Sequence, residues 1–346
     1  MQKLYIAFML FWSTGLFAQD IHFSQWWAAP VAMNPAMTGN FNGMVRATFN
    51  YRNQWFLIPT QNQVTPYQTF QASVDGSIAS ERLNNNKFGV GLMFFNDRAG
   101  DGGLTTNSVM ASAAYHQSVD RYGRSHLSFG LQAGFVMKQI QLQNLIFESQ
   151  LDGYGWNKNI SNGENYNSNP IIYPDVNAGI MFSSRPKDKF AYNFGVSVIH
   201  IAAPRESFLF NENSRINRRF VAHGSVEINA GYDNQWTISP TILFMMQGQA
   251  QQYNFGVGVN YQTNNDNVGI FGGGFGRMNS GGAFDAAILN LGVEVYNTRI
   301  GVSYDINVSG LSGASQAQGA VEIAIVYIFK KKRDYSINYP MYCPKF

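Results

Sequence analysis

The sequence predicts an all-β protein: a transmembrane outer-membrane β-barrel of about 14 antiparallel strands, with an irregular N-terminal segment and a short periplasmic C-terminal tail. Three observations predict it. Charged residues are 13% of the 346-residue chain and aromatics 15%, with 34 glycines, where an ordinary soluble protein carries about 25% charge. About 14 segments alternate apolar and polar residues with the period of two of a strand, and most exceed the usual length of strands in soluble sheets. Beyond residue 19 no apolar run approaches the ~18 residues that a membrane-spanning helix needs.

In chain order, residues 1–18 read as a signal peptide, with Lys3 as the positive start, Leu4 to Trp12 as a short apolar core, and Leu16-Phe17-Ala18 as the cleavage site before Gln19. The apolar run is too short to span a bilayer, and no cysteine follows it to carry a lipid. The single cysteine, Cys343, has no partner for an internal disulfide. A net charge of +3 is too small to imply a nucleic-acid partner.

Residues 19–42 form a separate periplasmic segment, dense in Trp, Pro and Asn. Its turn signals, Asn34-Pro35 and Thr38-Gly39, fit neither a helix nor a strand interior. From Val45 the pattern changes. Val45, Ala47, Phe49 and Tyr51 share one face, and Arg46, Thr48, Asn50 and Arg52 share the other. The barrel is predicted over 43–329, with strands at 43–53, 66–78, 87–97, 104–119, 124–138, 174–184, 189–201, 218–230, 235–247, 250–262, 267–278, 283–295, 298–308 and 318–329. A tilted strand crosses a membrane in about 9 to 11 residues, and apolar stripes ending in aromatics read as lipid outside and polar lumen inside. The segment 139–173 is the one long interruption, with a short helical turn expected near Leu142–Phe147 and a surface loop or inward fold after it. Short and long connections alternate, which predicts periplasmic turns, outer loops and both termini in the periplasm. Residues 330–346 are a tail that opens with Lys330-Lys331-Lys332-Arg333 and marks where the membrane stops.

The start of the mature chain resembles that of the PorP/SprF family of the Bacteroidetes. The likeness is carried by His22-Phe23-Ser24-Gln25, Ala29-Pro30, Asn34-Pro35-Ala36, Thr38-Gly39 and Tyr51-Arg52-Asn53-Gln54-Trp55. A second likeness lies in Cys343-Pro344-Lys345-Phe346 at the far end. The resemblance implies an outer-membrane barrel of type IX secretion and gliding motility, acting in secretion or surface anchoring of a large adhesin. It also implies partners among the periplasmic ring and lipoproteins of that system.

No catalytic motif accompanies this pattern, so no enzyme activity and no cofactor are expected. The five histidines, 22, 116, 126, 200 and 223, lack metal-ligand spacing, and His126 and His223 are expected to line the lumen. Gly272-Gly273-Gly274-Phe275-Gly276 lies within a strand, not at the opening of a helix, so it reads as a bend or a close packing and not as a dinucleotide loop. Asp97 to Gly102 lacks the carboxylate spacing of a calcium loop. Arg46, Arg52, Glu227, Glu294, Arg299, Asp305 and Glu322 are expected to pair across the lumen and make it rigid. The N-terminal segment is expected to cap or partly plug the periplasmic mouth, with Trp26, Trp27 and Pro30 packed on the lower strands, and to present a docking surface. A passive porin or hydrophobic-solute transporter has the same barrel pattern and stands as the alternative.

Overall fold

The computed structural model describes residues 20, 22–55, 66–79, 85–100, 102–141, 145, 147–152, 155–157, 159–163, 169–208, 213–231, 235–263, 267–280, 282–310 and 312–330. The predicted signal peptide, the tail after Lys330, and with it Cys343, Pro344 and Phe346, lie outside the described residues.

Fourteen strands close into one antiparallel barrel. They are β1 (Val45–Gln54), β2 (Tyr67–Ala79), β3 (Lys87–Ala99), β4 (Leu104–Ser118), β5 (Ser125–Gln139), β8 (Ile171–Lys187), β9 (Phe190–Ile199), β10 (Arg219–Ala230), β11 (Trp236–Gln247), β12 (Ala250–Gln262), β13 (Val268–Asn279), β14 (Phe284–Val295), β15 (Thr298–Asn307) and β16 (Gln318–Phe329). Between β5 and β8 a 3-10 turn at Glu148–Gln150 leads into a small hairpin, β6 (Leu151–Asp152) with β7 (Gly155–Trp156). Each barrel strand pairs with its sequence neighbours, and β1 seals on β16 with Val45 opposite Phe329 and Gln54 opposite Ala320. Closure removes the exposed sheet edge. β8 begins at Ile171, three residues before the predicted start, because the inward positions Tyr173, Asp175 and Asn177 continue the alternation across Pro174, which takes an outward place.

The period of two decides the faces. Along β1, Arg46, Thr48, Asn50 and Arg52 are buried inward while Val45 and Phe49 face out. The outer surface carries Val74, Val90, Leu92, Leu131, Ile180, Val196, Ile242 and Leu291, all well exposed, as a wall against hydrocarbon requires. Outward aromatic pairs mark both rims: Phe88–Tyr115 and Trp236–Tyr261 at one, Phe244–Tyr253 and Trp55–Tyr67 at the other. Among the described residues no helix is long and apolar enough to cross a membrane.

The two ends differ. Connections 80–86, 119–124, 188–189, 231–235, 263–267 and 296–297 lie at the end where β1 starts and β16 finishes, hereafter the short-turn end. The opposite, long-loop end carries 55–66, 140–170, 200–218 and 308–317 along with three shorter turns.

Candidate functional site

The interior of the barrel is occupied by the chain's own N-terminal segment. Asp20 sits at the long-loop end beside His200 and Gln247, the last residues of the β9 and β11 region. From there the segment descends through the 3-10 turn Trp26–Ala28, the four-residue helix Pro30–Met33 and the 3-10 turn Pro35–Met37. It reaches Asp75 at Gly39 and enters β1 at the short-turn end. Prolines stand at the first position of two of these turns, where the missing N–H is harmless. Phe23, Trp26, Ala29, Val31, Met33, Ala36, Met37 and Phe41 are buried almost completely.

This path corrects two expectations. The segment does not cap the periplasmic mouth alone; it runs the length of the lumen. Trp26 and Trp27 pack not on the lower strands but in the long-loop half, Trp26 with Val221, Leu243 and Met245, and Trp27 with Phe275 at 4.8 Å between ring centres. Residue 20 and the end of β16 therefore lie at opposite ends of the barrel, contrary to the expectation that both termini share one side. The physical reason is length: about 25 residues of compact turns span a barrel that each strand crosses in about ten.

Polar contacts fix the segment at four levels. At the long-loop rim, His200 Nε2 lies 2.8 Å from Asp20 Oδ2 and His200 Nδ1 lies 2.8 Å from Asp175 Oδ2. Gln247 Nε2 donates to Asp20 Oδ2 at 3.0 Å. Burial alone would hold His200 neutral, but the two carboxylates push it up to about 10. Burial would likewise raise Asp20, yet His200 and Arg219 bring it down to about 2.

Below this, Glu322 accepts from the Ser24 N–H at 2.7 Å and the Gln25 N–H at 2.8 Å. Ser24 Oγ donates to Asp305 at 2.7 Å and accepts from Arg52 Nη1 at 2.6 Å. Arg52 and Arg277 both bind Asp305 Oδ2, at 2.8 and 2.9 Å. Two carboxylates thus face two guanidiniums, with two backbone N–H groups completing the set. All are buried, so the cost of desolvating the charges is offset only because each has partners.

At the third level, Asn34 lies against β8 to β10. Its amide nitrogen is 3.1 Å from His223 Nε2 and donates to Ile180 O and Val196 O at 3.3 Å, while its oxygen accepts the Ala36 N–H. At the fourth, His116 Nε2 is 2.8 Å from Thr38 O, Asp75 Oδ2 accepts the Gly39 N–H at 2.7 Å, and Arg46 joins Asp75 to Met37 O.

The wall is carved to fit. Methyl groups built on inward glycines would collide with the segment: 2.0 Å from Thr38 O at Gly89, 2.2 Å from Ala36 N at Gly130, 1.9 Å from Asn34 Oδ1 at Gly179, and 2.4 Å from Gln25 Oε1 at Gly301. Gly39 itself has a φ of 71°, which glycine adopts without strain. The Gly272–Gly276 run lies in β13 and turns Phe271 and Phe275 inward, Phe275 against Trp27 and Phe271 beneath the Arg299 guanidinium at 3.7 Å.

Of the residues predicted for plug or docking, the structure brings Ser24, Gln25, Pro30, Asn34, Pro35, Thr38, Gly39 and Arg52 together in the lumen, with Phe23 on its long-loop side. His22 lines a small recess beside Arg219 and Gln252. Asn53, Gln54 and Trp55 stand apart. Asn53 donates to Tyr51 Oη on the outer face, Gln54 ends β1, and Trp55 stacks on Tyr67 at the rim. The predicted lumen charges all pair, but along the wall and not across the lumen as expected, because the partners sit on adjacent or next-but-one strands: Arg46 with Asp75, Glu227 with Arg185, and Glu294 with Arg299 besides the Arg52 group. Sequence reading did not assign Asp20, Asp75, Asp175, His200 or Arg277 to the site: Asp20 meets His200 only across 180 residues of chain, and the others meet their partners only once neighbouring strands are in register. The inward glycines gave the available signal, since glycine within a strand marks close backbone approach.

Beside the segment lies a sizeable space. Between the segment and strands β2 to β9, a cavity of about 660 Å3 descends from the long-loop end, floored by Phe23, Ala32 and Met33. Among the described residues no cluster of three or more acidic, His or Cys side chains is arranged to hold a metal.

A family model described as the type IX secretion system membrane protein PorP/SprF matches residues 16–327. The chain belongs to the PorP/SprF family. The family membership and the closed strand barrel together make it an outer-membrane barrel of a secretion-system family. No curated protein matches. Among solved structures, the chain is similar to a TodX monoaromatic hydrocarbon channel mutant at 10% identity, covering 88% of this chain and 94% of that one with a TM-score of 0.47. A Pseudomonas aeruginosa FadL homologue stands at 9% identity, 86% and 93% coverage and 0.47. BamA from Haemophilus ducreyi stands at 7%, 82%, 70% and 0.42. These remain likenesses only.

Proposed function

We propose that this PorP/SprF barrel serves type IX secretion as a closed, membrane-anchored component, not as a conduit. It acts in secretion or surface anchoring of adhesin-type substrates, including those of gliding motility, and docks to the periplasmic ring and lipoproteins. Its role is mechanical and not enzymatic. The observation that supports this best is the filled lumen, in which residues 23–41 are buried and fixed to the wall by the Arg52, Asp305 and Glu322 network. A translocated chain would have to displace that whole segment. With the short-turn end in the periplasm, as short turns in such barrels are, the end of β16 and Lys330 face the periplasmic machinery.

The test is a gentle detergent pull-down of the full chain from its native membrane with mass spectrometry. Recovery of ring and lipoprotein components, or of a very large surface protein, supports the proposal. If neither comes down under conditions that preserve other membrane complexes, it fails. The second reading, a passive porin or hydrophobic-solute transporter, has the outer cavity in its favour. Size-dependent solute uptake into liposomes would establish it.

A further inference from the structure

The cavity at the long-loop end is graded in chemistry, and strand register sets the grading. Met93 on β3 lies opposite Met110 on β4, Phe95 opposite Ser108, and Asp97 opposite Thr106. The rows continue across β5 and β8: Ser108 opposite Val136, Val136 opposite Tyr173, and Thr106 opposite Lys138. On β3 and β4 the lower row is thus soft and apolar, with Ala32 of the plug against it, while its continuation across β5 and β8 is Gly134 and Asp175, with Gln132 and Asn177 beyond. The next row carries Phe95 and Tyr173 at its two ends, with Ser108 and Val136 between them. The top row is polar and opens to solvent.

Two buried polar atoms along this wall have no partner among the described residues. Ser108 Oγ and Asp175 Oδ1 are unsatisfied, although both residues are almost fully buried and line the cavity. An unpaired buried acceptor is costly and calls for a ligand or solvent partner. Asp97 adds a carboxylate with a single hydrogen bond, from Thr69 Oγ1 at 2.6 Å. The cations within the cavity are already engaged: Lys138 with Glu206, His200 with Asp20 and Asp175, and Arg219 with Asp20. Arg215 stands exposed at the mouth and donates to Ala203 O. What is left unmet inside is acceptor capacity beside aromatic faces. The volume, about 660 Å3, falls within the range of small-molecule sites.

We propose that this cavity is a binding site for an apolar molecule that carries a cationic amine, its hydrocarbon part on Met93, Met110 and Phe95 and its N–H groups on Asp97 and the acceptors beside it. The same chemistry is offered by a free apolar amine or by the N-terminus of an apolar peptide. The site does not depend on the secretion role.

The test is calorimetric titration of the full-length protein in detergent. The probes are 4-phenylbutylamine and Phe-Leu-amide, with 4-phenylbutyrate as the anionic control and N-acetyl-Phe-Leu-amide as the uncharged one. The expected result is one-to-one binding of one or both amines, at least about tenfold tighter than their controls. Asp97→Asn is expected to weaken it about tenfold, and Met110→Trp, which fills the deep row, to abolish it. Ser108→Ala serves as a second variant if Met110→Trp fails to fold. Binding of the butylamine alone assigns a free amine; binding of the peptide alone assigns a chain N-terminus. Absence of amine binding, equal binding of the carboxylate, or amine binding untouched by Asp97→Asn would overturn the proposal.

Discussion

Replacing Glu322 by Gln should release the N-terminal segment while leaving the barrel closed. The carboxylate accepts two backbone N–H groups, from Ser24 and Gln25, and lies 3.4 Å from Arg52 Nη1. Glutamine keeps the volume but offers one oxygen, and its amide nitrogen meets a donor. One buried N–H loses its partner, which costs about 1 to 3 kcal/mol, and Arg52 is left with Asp305, already shared with Arg277, as its carboxylate partner. A total of about 3 kcal/mol corresponds to roughly a hundredfold rise in the population of the released segment. Chymotrypsin reads that population, because cleavage follows the open fraction when reclosing is fast. Phe23, Trp26 and Phe41 are all buried in the closed form. The expected outcome is cleavage within 23–41 at a rate roughly a hundredfold higher, with heat-modifiable gel migration of the barrel retained. Glu294→Gln, at the partly buried pair with Arg299 away from the segment's anchors, should change cleavage by less than about threefold. Equal cleavage of wild type and Glu322→Gln would refute the reasoning.

Three further predictions follow from the same geometry. Gly130→Ala or Gly179→Ala, whose methyl would sit about 2 Å from atoms of the segment, should lower the temperature of the gel-mobility transition, whereas Gly274→Ala, on the outer face with open space around it, should not. Raising the pH should loosen the Asp20 contact: His200, lifted from 6.5 to about 10, contributes fully below 6.5 and loses its share as pH passes about 10, while Asp20, lowered from 3.8 to about 2, loses its share only as pH falls through about 2. Chymotryptic cleavage at Phe23 should therefore rise only at strongly alkaline or strongly acid pH, and Asp20→Asn should remove that dependence. Epitope tags placed directly before Asp20 and after Lys330 should be reached by antibody from opposite sides of the membrane; access to both from one side would refute the threaded path.

Much of the fold was legible because a strand in a membrane barrel answers to both of its surroundings at every residue. The alternation of Ile300, Val302 and Tyr304 with Gly301, Ser303 and Asp305 is a direct record of lipid on one side and lumen on the other. Local pattern therefore placed the strands and named Arg52, Asp305 and Glu322 as inward charges. It did not tell how far the N-terminal segment reaches. An irregular run of turns carries no periodicity, and its depth is set by side chains 150 to 300 residues away in sequence, such as Asn34 against Ile180 and Ser24 against Glu322. Asp20 looked like an ordinary residue just after the cleavage site, because its partner, His200, lies 180 residues away in sequence. The inward glycines at 89, 130, 179 and 301 were the one written trace of the buried segment, visible only once each strand's inward face is known.

The most direct test of the closed lumen is electrical: reconstitute the full-length protein in planar bilayers, compare it with a variant lacking residues 20–41, and record single-channel currents. The filled interior predicts no sustained conductance from the intact protein and steady channels from the deletion, if it inserts at all. Stable, ion-conducting openings in the intact protein would contradict the account at its centre, since residues 23–41 would then have to leave the wall that is shaped around them.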